Sequence, residues 1–557
     1  MLCAILSAIA SSKPNVLVIL TDDVGWGDVG YNCKNATVCP RTPNIDALAT
    51  GPHAVLFRRF YAGAGVCSPT RSSVLTGRNN YRSCIASALA CDHMDTGAAK
   101  CSQGSGLSHS EFTVAKAATK AGMSSIHIGK WHMGDLWKKG LTKANPVSSP
   151  TNAGFTHWMT SQSQLPTSTP NCGCFPLNNW SAPQPPPDFG RSTEGLKFKH
   201  DWPGENCIVA GGFYVNESMV CSTYWYPDAA METGVKAISK KIPGDDGQHV
   251  VDTLEQFVGD NVKNATSWLA VLMLHYIHLP HPAMPKYFAA YDNDPDYVGT
   301  LQQLDDNVGA IVDTLKSFQV YENTLLFFTS DNGPHCSETS ASWPEVHCAG
   351  IAHGRSTGGQ GSWGESLRGC KASNWEGGIR VPGFMVWPSM IKKNIETWYP
   401  AVTHDFLPTI LEAIGVTSDR PTEALDGISL MPFVRAAAGT DDAPLPPAQR
   451  TTPIGFWWAD AKAWVEGEMK IVGGSISAGQ GCVTEPPYVG MPKSKGPFLF
   501  NLTADQSESH DLSKSMPGLF EAMTARFTTW QRSVVKSSTG NHCDSHPKPP
   551  IAALTDE

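Results

Sequence analysis

The sequence contains no run of 18 apolar residues, so it offers no candidate for a membrane-spanning helix. It has no basic run either: 42 Lys and Arg stand against 51 Asp and Glu, a net charge of −9. That balance gives no reason to expect nucleic acid or an anionic membrane surface as a partner. An anionic substrate would need a local group of positive side chains. No Cys-x-x-Cys pair is repeated and no histidine stands at a partner spacing, which argues against a zinc module. The Gly-rich stretch 358–364 lacks both a preceding strand and the Lys-Ser/Thr ending of a phosphate-binding loop, and reads as a flexible loop.

What is present describes a folded protein of more than one small domain: 557 residues, 41% hydrophobic and 17% charged. Residues 2–10 form an apolar run closed by Ala10-Ser11-Ser12, which predicts a short signal peptide over 1–12. Asn-x-Ser/Thr sequons at Asn35, Asn179, Asn216, Asn264 and Asn501 fit a secreted or lumenal, lysosome-like chain. The stretch 161–246 is rich in Pro, Ser, Asn and Trp, and contains Cys172, Cys174, Cys207 and Cys221. It reads as a long insertion held by disulfides near the pocket mouth.

Two continuous apolar, β-branched runs predict strands buried on both faces. Asn15-Val16-Leu17-Val18-Ile19-Leu20-Thr21 ends in Asp22-Asp23 and a Gly-rich turn, and Thr324-Leu325-Leu326-Phe327-Phe328-Thr329-Ser330 ends in Asp331-Asn332-Gly333. Carboxylates at two strand ends predict one shared, oxygen-rich cation site suited to Ca²⁺ or Mg²⁺. Ahead of the second strand, apolar residues at 308, 311, 312 and 315 have helical spacing, with Asp305-Asp306 read as a solvated face near the helix start. Two further strands precede polar ends, one carrying Lys130 and His132, the other His275, His278 and His281. Of those three histidines His278 is the best candidate, because His275 is still in the strand register and His281 lies beyond Pro280. A composition break at 436–453 introduces short strand-like pieces and a helix near 519–534, a small antiparallel-sheet α+β domain over 454–557.

The most informative stretch is Cys67-Ser68-Pro69-Thr70-Arg71-Ser72-Ser73-Val74-Leu75-Thr76-Gly77-Arg78. Pro near its start and Gly77 near its end predict a short helix whose N–H groups, dipole and Arg71 make an anion site around a sulfur residue. Cys67 has three readings: half of a disulfide, a nucleophilic thiolate, or a residue to be modified. The third comes from resemblance. Cys67-x-Pro69-x-Arg71, followed after four residues by Thr76-Gly77-Arg78, resembles the signature of type I sulfatases, in which the Cys is oxidised to Cα-formylglycine. Lys371 ahead of Glu376-Gly377-Gly378-x-Arg380 resembles the same family.

Together these matches cover most of residues 14–432 and resemble the alkaline-phosphatase superfamily, nearest to the arylsulfatase and N-acetylgalactosamine-6-sulfatase group. The resemblance implies an α/β catalytic domain over 13–435, a large mixed sheet flanked by helices, followed by the smaller domain. It implies one Ca²⁺ held by Asp22, Asp23, Asp331, Asn332 and the formylglycine derived from Cys67. It implies that Arg71 holds the aldehyde hydrate and that Lys130 and Lys371 stabilise the sulfate. His278 or Lys371 would protonate the leaving alcohol, and His132 would take the proton that releases sulfate. A formylglycine-generating enzyme would be an obligatory partner, and an oligomer is compatible with the sequence. With Cys3 and Cys67 set aside, 14 of the 16 Cys remain, an even number suited to disulfides. Two rival readings are a phosphonate or phosphodiester hydrolase on the same fold, and a catalytically silent secreted binding protein. The substrate is left open, because 161–246 has no counterpart to the family's substrate-positioning residues.

Overall fold

The computed structural model describes residues 13–32, 40–85, 106–134, 148–161, 168–169, 207–209, 213–215, 222–227, 237–242, 244–278, 287, 295–334, 367–417, 425–440, 442–458, 461–473 and 496–538. The expected signal segment, the stretch 358–364, His281 and most of 161–246 lie outside the described residues.

The fully buried run Asn15–Thr21 forms the middle strand of a ten-stranded mixed sheet. It pairs in parallel with Trp268–Met273 on one side and Thr324–Ser330 on the other. Ser124–Lys130 and then His157–Ser161 continue the parallel set beyond Trp268–Met273. On the opposite side Gly383–Val386 and Ala54–Phe57 add antiparallel pairings, and Ile395–Thr397 runs parallel to the latter. Within 161–246, Ser222–Pro227 and Ala237–Ile242 extend the other edge by antiparallel pairing.

Alternate residues of the middle strand feed two cores, as a strand covered on both faces requires. Val16, Val18 and Leu20 pack with Val74, Leu75, Phe406 and Ile410, on the face carrying the helices Cys67–Thr76 and Phe406–Ile414. Leu17 and Ile19 pack with Leu254, Val258, Leu304 and Val308, from the helices Asp246–Lys263 and Pro295–Ser317. Each such side chain, fully buried, stabilises the fold by roughly 1.5–3 kcal/mol. Among the described residues no helix is long and apolar enough to cross a membrane.

The reading of Asp305 needs correction. The helix begins ten residues earlier, at Pro295, and Asp305 is buried in it rather than solvated near its start. Its carboxylate accepts from the Asn44 and Ile45 backbone N–H groups at 3.1 and 2.8 Å, satisfying the first turn of the helix Pro43–Thr50. Asp306 faces solvent as expected.

Beyond residue 453, Ile454–Trp458, Ala461–Glu466, Met469–Gly473 and Phe498–Asn501 form a sequential antiparallel sheet, backed by the helix Pro517–Ser538. Its seam with the main body carries buried charge. Lys470 Nζ donates to Glu376 Oε1 at 2.9 Å and lies 2.8 Å from Glu508 Oε1, while Glu508 Oε2 accepts from Glu376 N at 2.7 Å. Replacing Lys470 with Met removes the ammonium that both buried glutamates share. The expected cost is about 3–5 kcal/mol of stability, read from the urea unfolding midpoint of wild type and variant.

Candidate active site

Parallel pairing brings the carboxyl ends of four strands to one edge of the sheet, the usual place for a ligand in this architecture. Thr21 is in register with Ser330, so Asp22 and Asp331 follow side by side, and Asp331 N donates to Thr21 O at 3.0 Å. The third chain is tied in by Asp22 N to Tyr276 O and Ile277 N to Asp22 O, both at 2.5 Å, which brings His278 up to Asp23. Lys130 ends the fourth strand, and His132 follows with a left-handed φ of 52°.

The predicted helix is Cys67–Thr76, with all ten residues buried. Val66 caps it in an extended conformation, and Gly77 ends it at φ 66°, its N–H donating to Ser73 O. Thr70 Oγ1 fixes the first turn by bonding both N and O of Ala64 at 2.9 Å. Cys67 Sγ comes to 3.7 Å from Asp22 Oδ1. One turn on, Arg71 Nη2 reaches Asp331 Oδ2 at 2.6 Å and Asp22 Oδ2 at 3.1 Å, while Nη1 donates to Lys130 O at 3.1 Å. The guanidinium fork is therefore turned onto carboxylates.

Lys130 Nζ donates to Asp22 Oδ2 at 2.6 Å. Lys371 Nζ donates to both oxygens of Asp23, at 2.6 and 2.8 Å, and His278 Nε2 lies 3.7 Å from Asp23 Oδ2. Lys371 arrives on a loop pinned by Lys371 N to Pro334 O at 2.9 Å and Ala372 N to Gly65 O at 2.6 Å. Gly65 permits this approach, since a Cβ there would collide with the Ser373 carbonyl. His275 turns away, its Nε2 2.7 Å from Ser161 Oγ.

Three carboxylates and three cations thus share one buried volume. Burial works against the Asp22 charge, but Lys130, Arg71, His278 and Lys371 together outweigh it and hold the carboxyl well below its usual range. Asp331 goes the other way: burial and the neighbouring Asp22 prevail over Arg71 and Lys130 and push it up to about 7. Burial, with Lys371 next, brings His278 down to about 3, and burial with Lys130 and Arg71 holds His132 well below its ordinary value. Burial opposes the Lys371 charge, yet Asp23 and the other acidic groups raise its pKa.

The disulfide reading of Cys67 falls away. Cys67 is a free thiol, whereas Cys84 and Cys370 are disulfide-bonded. Burial pushes its pKa up to about 12 despite Lys130 and Lys371, so an unmodified thiolate is scarce at neutral pH. The oxygen set fits a hard divalent cation. Asn332 Nδ2 donates to Asp23 Oδ1 at 2.6 Å and to Gly333 O at 2.8 Å, leaving its buried Oδ1 without a protein partner beside Asp22, Asp23 and Asp331.

The sheet, its small companion sheet and this strand-end constellation define a type I sulfatase of the alkaline-phosphatase superfamily. The family profile described as Sulfatase matches residues 14–416, and the chain belongs to that family; it is an enzyme that hydrolyses sulfate esters. Over 467 residues it is 30% identical to the steryl-sulfatase of Homo sapiens, covering 78% of this chain and 71% of that protein. The N-acetylgalactosamine-6-sulfatase of Homo sapiens is 28% identical over 425 residues, 76% of this chain and 66% of the relative. In fold it resembles the PsFucS1 sulfatase from Pseudoalteromonas sp., with a TM-score of 0.66 at 22% identity, covering 97% of this chain and 93% of that one.

The supporting contacts of Glu376, Lys470 and Glu508 had no sequence signal, because they join segments about a hundred residues apart through side chains common on any surface. Tyr276 and Ile277 were equally silent, acting through backbone atoms. If residue 67 is kept as cysteine, native protein should react with iodoacetamide at neutral pH more than about a thousandfold slower than a free thiol, as the scarcity of thiolate requires. Mass spectrometry after timed quenching checks this, with urea-unfolded protein as the fast control.

Proposed function

We propose that the protein releases inorganic sulfate from a sulfate monoester, a sulfated carbohydrate or an aryl sulfate, using a formylglycine made from Cys67. The observation that carries the reading is Cys67 itself: a buried free thiol at a helix start, 3.7 Å from Asp22, within Cys-x-Pro-x-Arg. As a hydrate, formylglycine supplies one hydroxyl to attack sulfur and a second whose deprotonation lets sulfate leave. A Ca²⁺ held by Asp22, Asp23, Asp331, Asn332 and residue 67 supplies the positive charge that makes such a hydroxyl acidic near neutral pH.

The chain's own groups divide the remaining work. Lys130 and Lys371 compensate the sulfate charge, aided by the N-terminal N–H groups of the Cys67–Thr76 helix. Arg71, bonded to Asp22 and Asp331, keeps two carboxylates in place beside residue 67. Of the two candidate acids, His278 is largely deprotonated near neutral pH, because burial and Lys371 bring its pKa to about 3. Lys371 retains its proton and is the donor to the departing alkoxide, a base strong enough to take it. His132, kept neutral by burial, Lys130 and Arg71, accepts the proton from the second hydroxyl. A cysteine could not complete the cycle, since a thiosulfate ester has no second hydroxyl. The reading therefore requires a formylglycine-generating partner enzyme and a secreted or lumenal location.

Mass spectrometry of the Cys67 peptide should show a loss of about 18 Da relative to cysteine. An unmodified peptide in active protein would overturn the formylglycine reading. Matured protein should turn over 4-nitrophenyl sulfate faster than a phenylphosphonate ester; the reverse order would favour the phosphonate hydrolase. Lys371→Ala should lower kcat by about 10²–10⁴-fold, with the loss smallest for aryl esters, whose leaving groups need least protonation. Dialysis against a chelator should abolish turnover and added Ca²⁺ should restore it.

A further inference from the structure

Four ligand atoms of unlike chemistry meet at these strand ends. One carboxylate oxygen each from Asp22 and Asp23, the sulfur of Cys67 and an imidazole nitrogen of His278 lie within 4.8 Å of one another, all buried. Two edges of the tetrad are the 3.7 Å from Cys67 Sγ to Asp22 Oδ1 and the 3.7 Å from His278 Nε2 to Asp23 Oδ2. With bonds of about 2.3 Å to sulfur and about 2.0–2.1 Å to nitrogen and oxygen, neighbouring ligands of a tetrahedral zinc ion stand roughly 3.3–3.5 Å apart. The tetrad is within a few tenths of an ångström of that spacing on both edges.

The other carboxylate oxygens are already held from behind. Lys130 donates to Asp22 Oδ2 and Asn332 to Asp23 Oδ1, so Asp22 Oδ1 faces the sulfur, while Asp23 Oδ2 faces the imidazole and also accepts from Lys371 Nζ at 2.8 Å, a bond that leaves it a second lone pair for the metal. Such outer contacts are what fix the ligands of a metal site.

We propose that the unconverted protein, with cysteine at position 67, binds one Zn²⁺ through Asp22, Asp23, Cys67 and His278. On binding, the Cys67 S–H proton leaves to solvent as the S–Zn bond forms. Zn²⁺, Arg71, Lys130 and Lys371 then face Asp22, Asp23, Asp331 and the thiolate, leaving the enclosed charge within one unit of balance. The zinc set shares Asp22, Asp23 and position 67 with the all-oxygen set of Asp22, Asp23, Asp331, Asn332 and a converted residue 67, and differs from it in taking His278 in place of Asp331 and Asn332. Exchanging sulfur for oxygen at residue 67 removes the softest ligand and shifts the preference from Zn²⁺ to a hard cation. No zinc spacing is visible in the sequence, because the ligands come from three distant segments. The contrast between the two forms rests on the conversion proposed above; the zinc site itself requires only sulfur at position 67.

The test uses full-length protein from a host without formylglycine-generating activity, titrated with Co²⁺ and then Zn²⁺ in excess Ca²⁺. The expected result is one Co²⁺ per chain, with an intense thiolate-to-cobalt charge-transfer band and d–d bands of tetrahedral strength, both abolished by Zn²⁺. Cys67→Ser should lose the charge-transfer band and weaken binding at least about 100-fold, and His278→Ala should weaken it about 10–100-fold while keeping the band. Circular dichroism reports whether each variant folds, and the spectrum of the parent protein decides the question if either does not. A cobalt spectrum without the sulfur band, Cys67→Ser binding as tightly as the parent, or no binding at all would overturn the proposal. Converted protein should show no such band. Were residue 67 found unconverted in every host, the formylglycine reading would fail while the zinc site stood or fell on these spectra alone.

Discussion

The structure depends on one electrostatic constraint, the neutralisation of three carboxylates removed from water. Asp22, Asp23 and Asp331 are buried at adjacent strand ends, where unpaired charges would cost several kcal/mol each. Arg71, Lys130 and Lys371 answer them, each from a different segment, at 2.6 Å from at least one carboxylate oxygen. The site can therefore assemble only when the sheet, the Cys67–Thr76 helix and the Lys371 loop are all in place.

That dependence extends to the small C-terminal sheet. Glu508 accepts from the backbone N–H of Glu376, and Lys470 bridges both side chains. Arg368 stacks 3.8 Å over Trp375 and donates to Glu508 O, so the segment around Lys371 is clamped by the chain that follows the last strand of the second sheet. Gly333 N in turn donates to Gly378 O, joining the same segment to the turn after Asp331-Asn332. A part of the chain away from the strand ends thus holds the loop that delivers Lys371 to them.

Much of this was legible from residue order. The runs Asn15–Thr21 and Thr324–Ser330 announced buried strands because every residue must be compatible with cover on both faces. The helix Cys67–Thr76 was marked near its ends by Pro69 and Gly77, and the four strands beyond 453 by short apolar pieces. Asp305 was misread because an acidic residue next to a second one looks solvated. Only the fold shows that the first turn of Pro43–Thr50 supplies the N–H groups it accepts. The choice between disulfide, thiolate and modified residue at Cys67 was open for a similar reason: burial and the absence of a sulfur partner are properties of the packed interior.

Residue types and local order by themselves determined the mixed α/β class, the two acidic strand ends and the family to which the chain belongs, since these follow from periodicity and from a short contiguous motif. Tertiary structure alone decided which cation meets which carboxylate, that the Arg71 fork is turned onto Asp22 and Asp331, and that Cys67 and His278 converge. The physical reason is range: hydrophobic alternation and turn chemistry act over a few residues, whereas charge pairing and ligand geometry act across space between segments that the chain keeps hundreds of residues apart.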